Sequence, residues 1–123
     1  MKNKLETSQK NICIEISKGN FEQFKIHFSE NVFWDILGNG SIVGKEEVLT
    51  VLKMSQLESF PLITIKSVIE EGNIVVIEST GVATTKKGNP YNQTYCDIYH
   101  FKDEKIIKFT TYLDTALSNE VDK

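Results

Sequence analysis

The sequence predicts an α+β fold in which three N-terminal helices pack on one face of a curved, mainly antiparallel sheet. Apolar residues recur at helical spacing in the first half of the chain, and from Leu62 onward they alternate as in strands. Helices gathered first and strands gathered last are typical of this class. With 123 residues and 40% apolar composition, residues 1–123 are expected to form a single domain with one core.

The three helices are predicted from apolar spacing and from residues that begin or end helices. The first runs from Leu5 to Lys18 and ends at Gly19, which readily adopts a left-handed conformation. The second follows at once, with Asn20 as its N-cap. The third opens at Gly44 and continues to about Ser59.

One short strand is predicted before the third helix, over Val32–Leu37, and four long strands after it. Those four are Leu62–Glu70, Ile74–Thr85, Tyr91–Lys102 and Lys105–Ala116. Short turns rich in Gly, Asn and Asp separate them, so the sequence predicts an antiparallel meander. The last residues, 118–123, are polar and are expected to be a frayed tail.

Composition excludes several functional classes. The formal net charge is -3, so no polycationic face is expected to bind nucleic acid. Every basic residue is Lys, which leaves no guanidinium to clamp a carboxylate or phosphate. The two cysteines, Cys13 and Cys96, lie far apart, and the sequence indicates no metal site and no cofactor.

The N-terminus has no apolar stretch typical of a signal peptide, and no window approaches the ~20 apolar residues of a membrane span. We therefore expect a soluble, cytoplasmic protein with no membrane partner. The sheet is too wide for three helices to cover both faces, so we also expect a homodimer through the outer sheet face.

The last hairpin carries a resemblance to a known family. A polar-aromatic strand, Tyr91–Lys102, is followed by the turn Asp103-Glu104-Lys105-Ile106 and then by Tyr112-Leu113-Asp114-Thr115. This resembles SnoaL-like proteins, in which an Asp-Gly-Lys-Ile turn and a final Tyr-x-Asp recur; Glu104 replaces the turn glycine. The order of elements is similar to that of the nuclear-transport-factor-2-like (NTF2-like) superfamily, which implies a cone-shaped fold, the cystatin-like roll. Ketosteroid isomerases, limonene epoxide hydrolases and polyketide cyclases share it.

A comparison with ketosteroid isomerases is sharper. Their general-base aspartate lies in an Asp-Pro-Val-Gly run, and Asp35-Ile36-Leu37-Gly38 stands at the similar place. Their second aspartate is held protonated as an oxyanion donor, and the resemblance implies that role for Asp97. Ile12 stands where the family has its tyrosine donor, so the oxyanion hole is incomplete. Limonene-type epoxide hydrolysis is disfavoured because that family uses an arginine.

Strand periodicity gives an independent prediction for the carboxylates. Alternation places Gln93, Tyr95, Asp97, Tyr99 and Phe101 on one face, which we expect to meet the helices. Asp97 would then lie among aromatic groups, where loss of hydration raises a carboxyl pKa. Asp114, with Tyr112, is expected to project from the final strand toward a cavity shared with Asp97. Each residue also has a purely structural explanation: Asp35 could cap the following loop, a tyrosine hydroxyl could satisfy Asp97, and Asp114 could be solvated.

The predicted function is a small-molecule pocket, possessing either acid–base isomerase or cyclase activity on a small apolar carbonyl compound. The alternative is a non-catalytic ligand-binding or dimeric association module. The predicted catalytic residues are Asp35, Asp97 and Asp114, and the predicted ligand-binding residues are Trp34, Gln93, Tyr95, Tyr99 and Tyr112.

Overall fold

The computed structural model describes residues 8–38, 40–53, 62–84 and 87–115. The helices are α1 (Gln9–Ser17), α2 (Phe21–Phe24), a 3-10 turn (Lys25–His27) and α3 (Lys45–Lys53). The strands are β1 (Phe28–Ile36), β2 (Gly40–Val43), β3 (Leu62–Glu71), β4 (Ile74–Thr84), β5 (Pro90–Lys102) and β6 (Lys105–Thr115). The predicted start of the first helix, the end of the third and the tail lie outside the described residues.

Helix α1 has the ends that its sequence predicts. The side chain of Ser8 accepts a hydrogen bond from the backbone N–H of Asn11 at 3.1 Å and so caps the first turn. Gly19, with φ of 103°, ends the helix in the left-handed region, as expected. The helix buries Ile12, Cys13 and Ile16.

The second helix is a single turn; Asn20 occupies its N-cap position as predicted, but its side chain makes no capping hydrogen bond. Asn20 donates its side-chain amide to Glu15 at 2.7 Å instead, which ties the corner back to α1. After the 3-10 turn the chain enters β1 at Phe28, earlier than the predicted Val32. Phe28 is only 1% exposed, so its burial in the sheet outweighs local helix preference.

The sheet has six strands in the order β2-β1-β6-β5-β4-β3. The meander from β3 to β6 is antiparallel, as predicted. The sheet is extended by β1, which pairs parallel with β6, and by β2, which forms an antiparallel hairpin with β1. The hairpin was not predicted; Gly38 and Gly40 both have positive φ and allow its tight reversal.

The turn between β5 and β6 lacks the glycine that a tight hairpin favours. Asp103 and Glu104 have φ of 51° and 66°, both in the left-handed region. Two-residue turns of this kind favour Asn-Gly or Asp-Gly because Gly adopts positive φ without a steric cost. The replacement of the SnoaL-like turn glycine by Glu104 therefore affects only the conformation of this turn.

The helices cover one face of the sheet, which we call the inner face; the other is the outer face. A single core cluster joins helix residues such as Cys13 and Val48 to Val75 and Tyr99 of the sheet. At its centre Phe109 stacks against three aromatic rings. The ring centroids lie 5.8 Å away for Phe28, 5.0 Å for Trp34 and 5.3 Å for Tyr99. Among the described residues, no helix is long and apolar enough to cross a membrane.

Candidate functional site

Asp97 lies on the inner face near the middle of β5. It is 9% exposed and pairs in register with Ile77 of β4 and Thr111 of β6. Its neighbours on the same face of the strand, Tyr99 and Phe101, are also buried. The predicted alternation of β5 is therefore confirmed, and it brings a carboxyl group into the interior.

A directed chain of hydrogen bonds ends on this carboxyl group. The indole Nε1–H of Trp34 donates to Thr111 Oγ1 at 2.9 Å, and Thr111 Oγ1 donates to Asp97 Oδ1 at 2.7 Å. An indole N–H can only donate, so the threonine oxygen must accept there and give its own hydrogen to the carboxylate. Trp34 is thus a buried structural donor in addition to being a predicted pocket residue.

A second pair of hydroxyl groups lies beside Asp97. Ser17, in the last turn of α1, is hydrogen-bonded to the Tyr99 hydroxyl at 2.9 Å. The Ser17 hydroxyl also lies near Asp97 and favours its ionised form.

Burial governs the protonation of these groups. Loss of hydration raises the pKa of Asp97 to about 6, and the hydroxyl groups of Thr111 and Ser17 limit that rise. Burial also raises the pKa of Tyr99 and of Cys13, and the neighbouring Asp97 adds to both effects. The tyrosine and the thiol are therefore neutral, and Asp97 is the group of this cluster that titrates near neutrality.

The inner face opens in one direction from Asp97. On one side lies a row of paired residues that are all at most 9% exposed: Val75, Tyr99, Phe109 and Trp34. On the other side, the next paired row is less uniformly buried: Ser79 is 1% exposed, Tyr95 is half-buried and Leu113 is 42% exposed. Asp97, Thr111 and Trp34 each keep 9% exposure. Asp97 thus lies where the packed interior meets the accessible part of the inner face.

Gln93 and Tyr95 lie along this accessible part of the inner face, the face on which strand alternation predicted them. Both are half-buried on the inner face of β5, and the Tyr95 hydroxyl donates to the Gln93 side-chain oxygen. With Asp97 and Tyr99, they form a polar stripe along one strand. Their predicted role in binding a ligand stays a prediction.

Asp35 does not join Asp97. On β1, Trp34 faces inward, since it stacks on Phe109 and bonds to Thr111, so the next residue in a strand faces outward. Asp35 pairs with Thr110 of β6, which also lies on the outer face. Asp35 and Asp97 were expected to line one cavity, but they lie on opposite faces of the sheet. A shift of one residue along a strand moves a side chain to the other face, and Asp35 is one residue from the inward-facing Trp34.

Asp114 and Tyr112 also lie on the outer face, contrary to the expectation that they project into the interior. Thr111 faces inward, and alternation along β6 turns both of these residues outward. They border a shallow depression of about 230 Å³. It is lined by Glu78, Thr94, Tyr95, Cys96, Tyr112, Leu113 and Asp114.

Sequence reasoning missed Ser17 and Thr111. Each is a common hydroxyl residue with no motif around it, and each meets Asp97 or Tyr99 only through contacts distant in sequence. The alternation of β6 offered one signal: a threonine at an inward position of a strand needs a hydrogen-bond partner there. Among the described residues, no group of three or more metal-binding side chains comes together.

Comparison with known proteins identifies the family. A model of the SnoaL-like domain matches residues 14–109, which is most of the chain. The chain belongs to the SnoaL-like domain family. Its structure is also similar to an NTF2-like protein of unknown function from Cytophaga hutchinsonii ATCC 33406, with 28% identity and a TM-score of 0.77. That match covers 89% of this chain and 99% of the other.

More distant members of the fold carry activities in their names. A putative SnoaL-like polyketide cyclase from Jannaschia sp. CCS1 has 12% identity and a TM-score of 0.75, covering 93% of this chain and 90% of the other. An LEH-like epoxide hydrolase from M. tuberculosis has 14% identity and a TM-score of 0.69, covering 86% and 82%. At these identities the likeness shows the fold alone. A search of curated proteins found no match.

The protonation of Asp97 makes stability depend on pH. Its folded pKa, about 6, lies above the ordinary value of 3.8, so the folded state retains a proton that the unfolded state releases. The stability of the wild type relative to Asp97→Asn should therefore be highest below pH ~4, fall as pH rises to ~6, and then level off. The full change should be on the order of 3 kcal/mol.

Urea denaturation midpoints of both proteins, measured across this pH range, check the prediction. Asn keeps a side-chain oxygen to accept from Thr111, so the comparison isolates the charge. A wild type that gains stability on the variant as pH rises would show that Asp97 is ionised and stabilised by a partner.

Proposed function

We propose that this SnoaL-like protein binds a small, mainly apolar molecule against the inner face, and that protonated Asp97 donates a hydrogen bond to a carbonyl oxygen of that molecule. The observation that carries the proposal is a buried carboxyl group whose Oδ1 already accepts from Thr111. Among the described residues, no cation forms an ion pair with it. A carboxyl group in such surroundings favours its neutral form, which has a hydrogen to donate.

The position of Asp97 supports this role. The carboxyl lies at the boundary between a packed aromatic row and the accessible row that contains Tyr95 and Leu113. A ligand entering over the accessible row would meet apolar and aromatic side chains first and the carboxyl group last. Sites of this composition, apolar with a few placed polar groups, are typical of small-molecule pockets.

The geometry favours binding by one carboxyl group over catalysis by two. An isomerase of the kind that the resemblance implies needs a base on the same face as its donor, and Asp35 lies on the opposite face from Asp97. A cyclase-like role for Asp114 meets the same difficulty. An acid–base reaction would require another base on the inner face; Glu70 occupies an inner-face position on β3, but its carboxylate is exposed and accepts from Gln9 at 3.0 Å.

The ligand proposal predicts a pH-dependent affinity for ketones. Small apolar ketones should raise the thermal midpoint of the wild type near pH 5, and their affinity should fall by up to ~100-fold near pH 8, because only the protonated carboxyl donates. The matching hydrocarbons, which lack the acceptor, should show no such dependence. Thermal shift followed by calorimetry measures both series.

Two variants separate this reading from nonspecific apolar binding. Asp97→Asn retains a donor, so its ketone affinity should be the same at both pH values, whereas Asp97→Ala should bind ketones and hydrocarbons alike. Wild-type affinity that does not change with pH, or an Ala variant that binds ketones as well as the wild type, would contradict the proposal.

We further propose that the outer face joins two copies of the chain. Six large apolar side chains on this face are more than 40% exposed: Val43, Leu62, Ile69, Ile74, Val82 and Tyr112. The face is also self-complementary in charge, since Lys108 and Asp114 occupy outward-facing positions toward opposite ends of β6. A twofold axis perpendicular to the strands would bring the lysine of each copy toward the aspartate of the other.

The dimer is tested by placing a charge at the centre of this face. Tyr112→Lys should convert the protein to a monomer in sedimentation velocity at micromolar concentration, because an unpaired ammonium would be buried between the copies. Ile26→Lys is the matched control: Ile26 is 58% exposed but lies in the 3-10 turn and not on the outer face of a strand. A monomeric wild type, or equal behaviour of both variants, would contradict the dimer.

A further inference from the structure

We infer that Thr111 is a positioning residue: fixed by the Trp34 indole, its hydroxyl holds Asp97 Oδ1 as an acceptor and leaves Oδ2 to carry the proton that meets a ligand. This inference rests on the proposed ligand site and adds the group that orients its donor. No motif in the sequence marks Thr111 for such a role.

The directions of the Trp34–Thr111 and Thr111–Asp97 hydrogen bonds follow from what each group can donate. Trp34 Nε1 lies 2.9 Å from Thr111 Oγ1, and the indole has no acceptor to offer. The Thr111 hydrogen therefore points elsewhere, and Asp97 Oδ1 lies 2.7 Å away. A proton on Oδ1 would face the hydrogen of Thr111, so the neutral carboxyl group must carry its proton on Oδ2.

The Thr111 hydroxyl is held rigidly by its surroundings. Thr111 and Trp34 are each 9% exposed, and the indole stacks on Phe109 at 5.0 Å with an angle of 16° between the rings. The backbones of Asp97 and Thr111 are paired in register on adjacent strands. A donor held by a packed ring and a paired strand cannot rotate to serve the other oxygen, which fixes the orientation of the carboxyl group.

Other groups also face Asp97. From α1 these are Cys13 and Ser17, and from β5 they include Tyr99. The strands paired with it on either side present Ile77 and Thr111, which do not titrate. Cys13 and Tyr99 are neutral over the range in which Asp97 titrates, so a change in that titration after substitution of Thr111 reports on the hydrogen bond itself.

The test follows the Asp97 carboxyl carbon and the Trp34 indole by NMR as pH is varied, with no ligand present. The chain contains one Trp, so its indole N–H signal needs no further assignment. In the wild type the indole signal should shift with the same midpoint as the Asp97 carbon, because Thr111 transmits the change in charge. An indole signal that ignores the Asp97 titration would overturn the inference without any substitution.

Variants then test the hydroxyl directly. Thr111→Val removes the donor that favours the carboxylate, so the Asp97 midpoint should rise by about one pH unit and the indole response should be lost. Thr111→Ser should keep both near the wild-type values. The matched control is Thr110→Val, the same change on the adjacent, outward-facing residue, which should leave the Asp97 midpoint unchanged.

An Asp97 midpoint that does not rise in Thr111→Val, or that rises equally in Thr110→Val, would overturn the positioning role. Because the titration uses no ligand, either result would leave the ketone affinities to decide the proposed function separately. A correct titration with no pH-dependent ketone binding would support the orientation of Asp97 and contradict its use as a ligand donor.

Discussion

The burial of one carboxyl group, Asp97, is the constraint on which the site depends. A buried, unpaired carboxylate is so costly that the group gains a proton or acquires partners. Here, among the described residues, the Thr111 hydroxyl bonds to the carboxyl group and the Ser17 hydroxyl lies nearby, and a hydroxyl group can serve either state of the carboxyl. The result is an acid with a pKa of about 6 in place of a fixed charge.

The sheet topology explains why these partners meet. The parallel pairing of β1 with β6 places Trp34 beside Phe109 and within reach of Thr111. The antiparallel pairing of β6 with β5 then places Thr111 opposite Asp97. Three strands thus bring three side chains together on the inner face, with Trp34 reaching from the row of Phe109 to Thr111 in the next row. The same alternation turns Asp35 and Asp114 outward, which leaves the interior with a single carboxyl group from these three.

The sequence was sufficient where a pattern is local. Alternation along β5 correctly predicted that Asp97, Tyr99 and Phe101 point inward, because period two is strict within a strand. It was insufficient at Asp35, since Phe33 and Trp34 are both aromatic and either could have been the core residue. At Asp114 the adjacent residues Tyr112 and Leu113 are both largely apolar, so either could have been the inward-facing residue. The Trp34–Thr111 contact joins residues 77 positions apart, and no local signal encodes it.

The proposed chemistry depends on Asp97 being a neutral acid in the folded protein at mildly acidic pH. Infrared difference spectroscopy between the wild type and Asp97→Asn tests this directly, because signals from the other carboxyl groups cancel. Near pH 5, where an ordinary aspartate is mostly ionised, the difference spectrum should contain the carbonyl stretch of a protonated carboxylic acid. That band should vanish near pH 8. A difference spectrum with only carboxylate bands near pH 5 would contradict the claim.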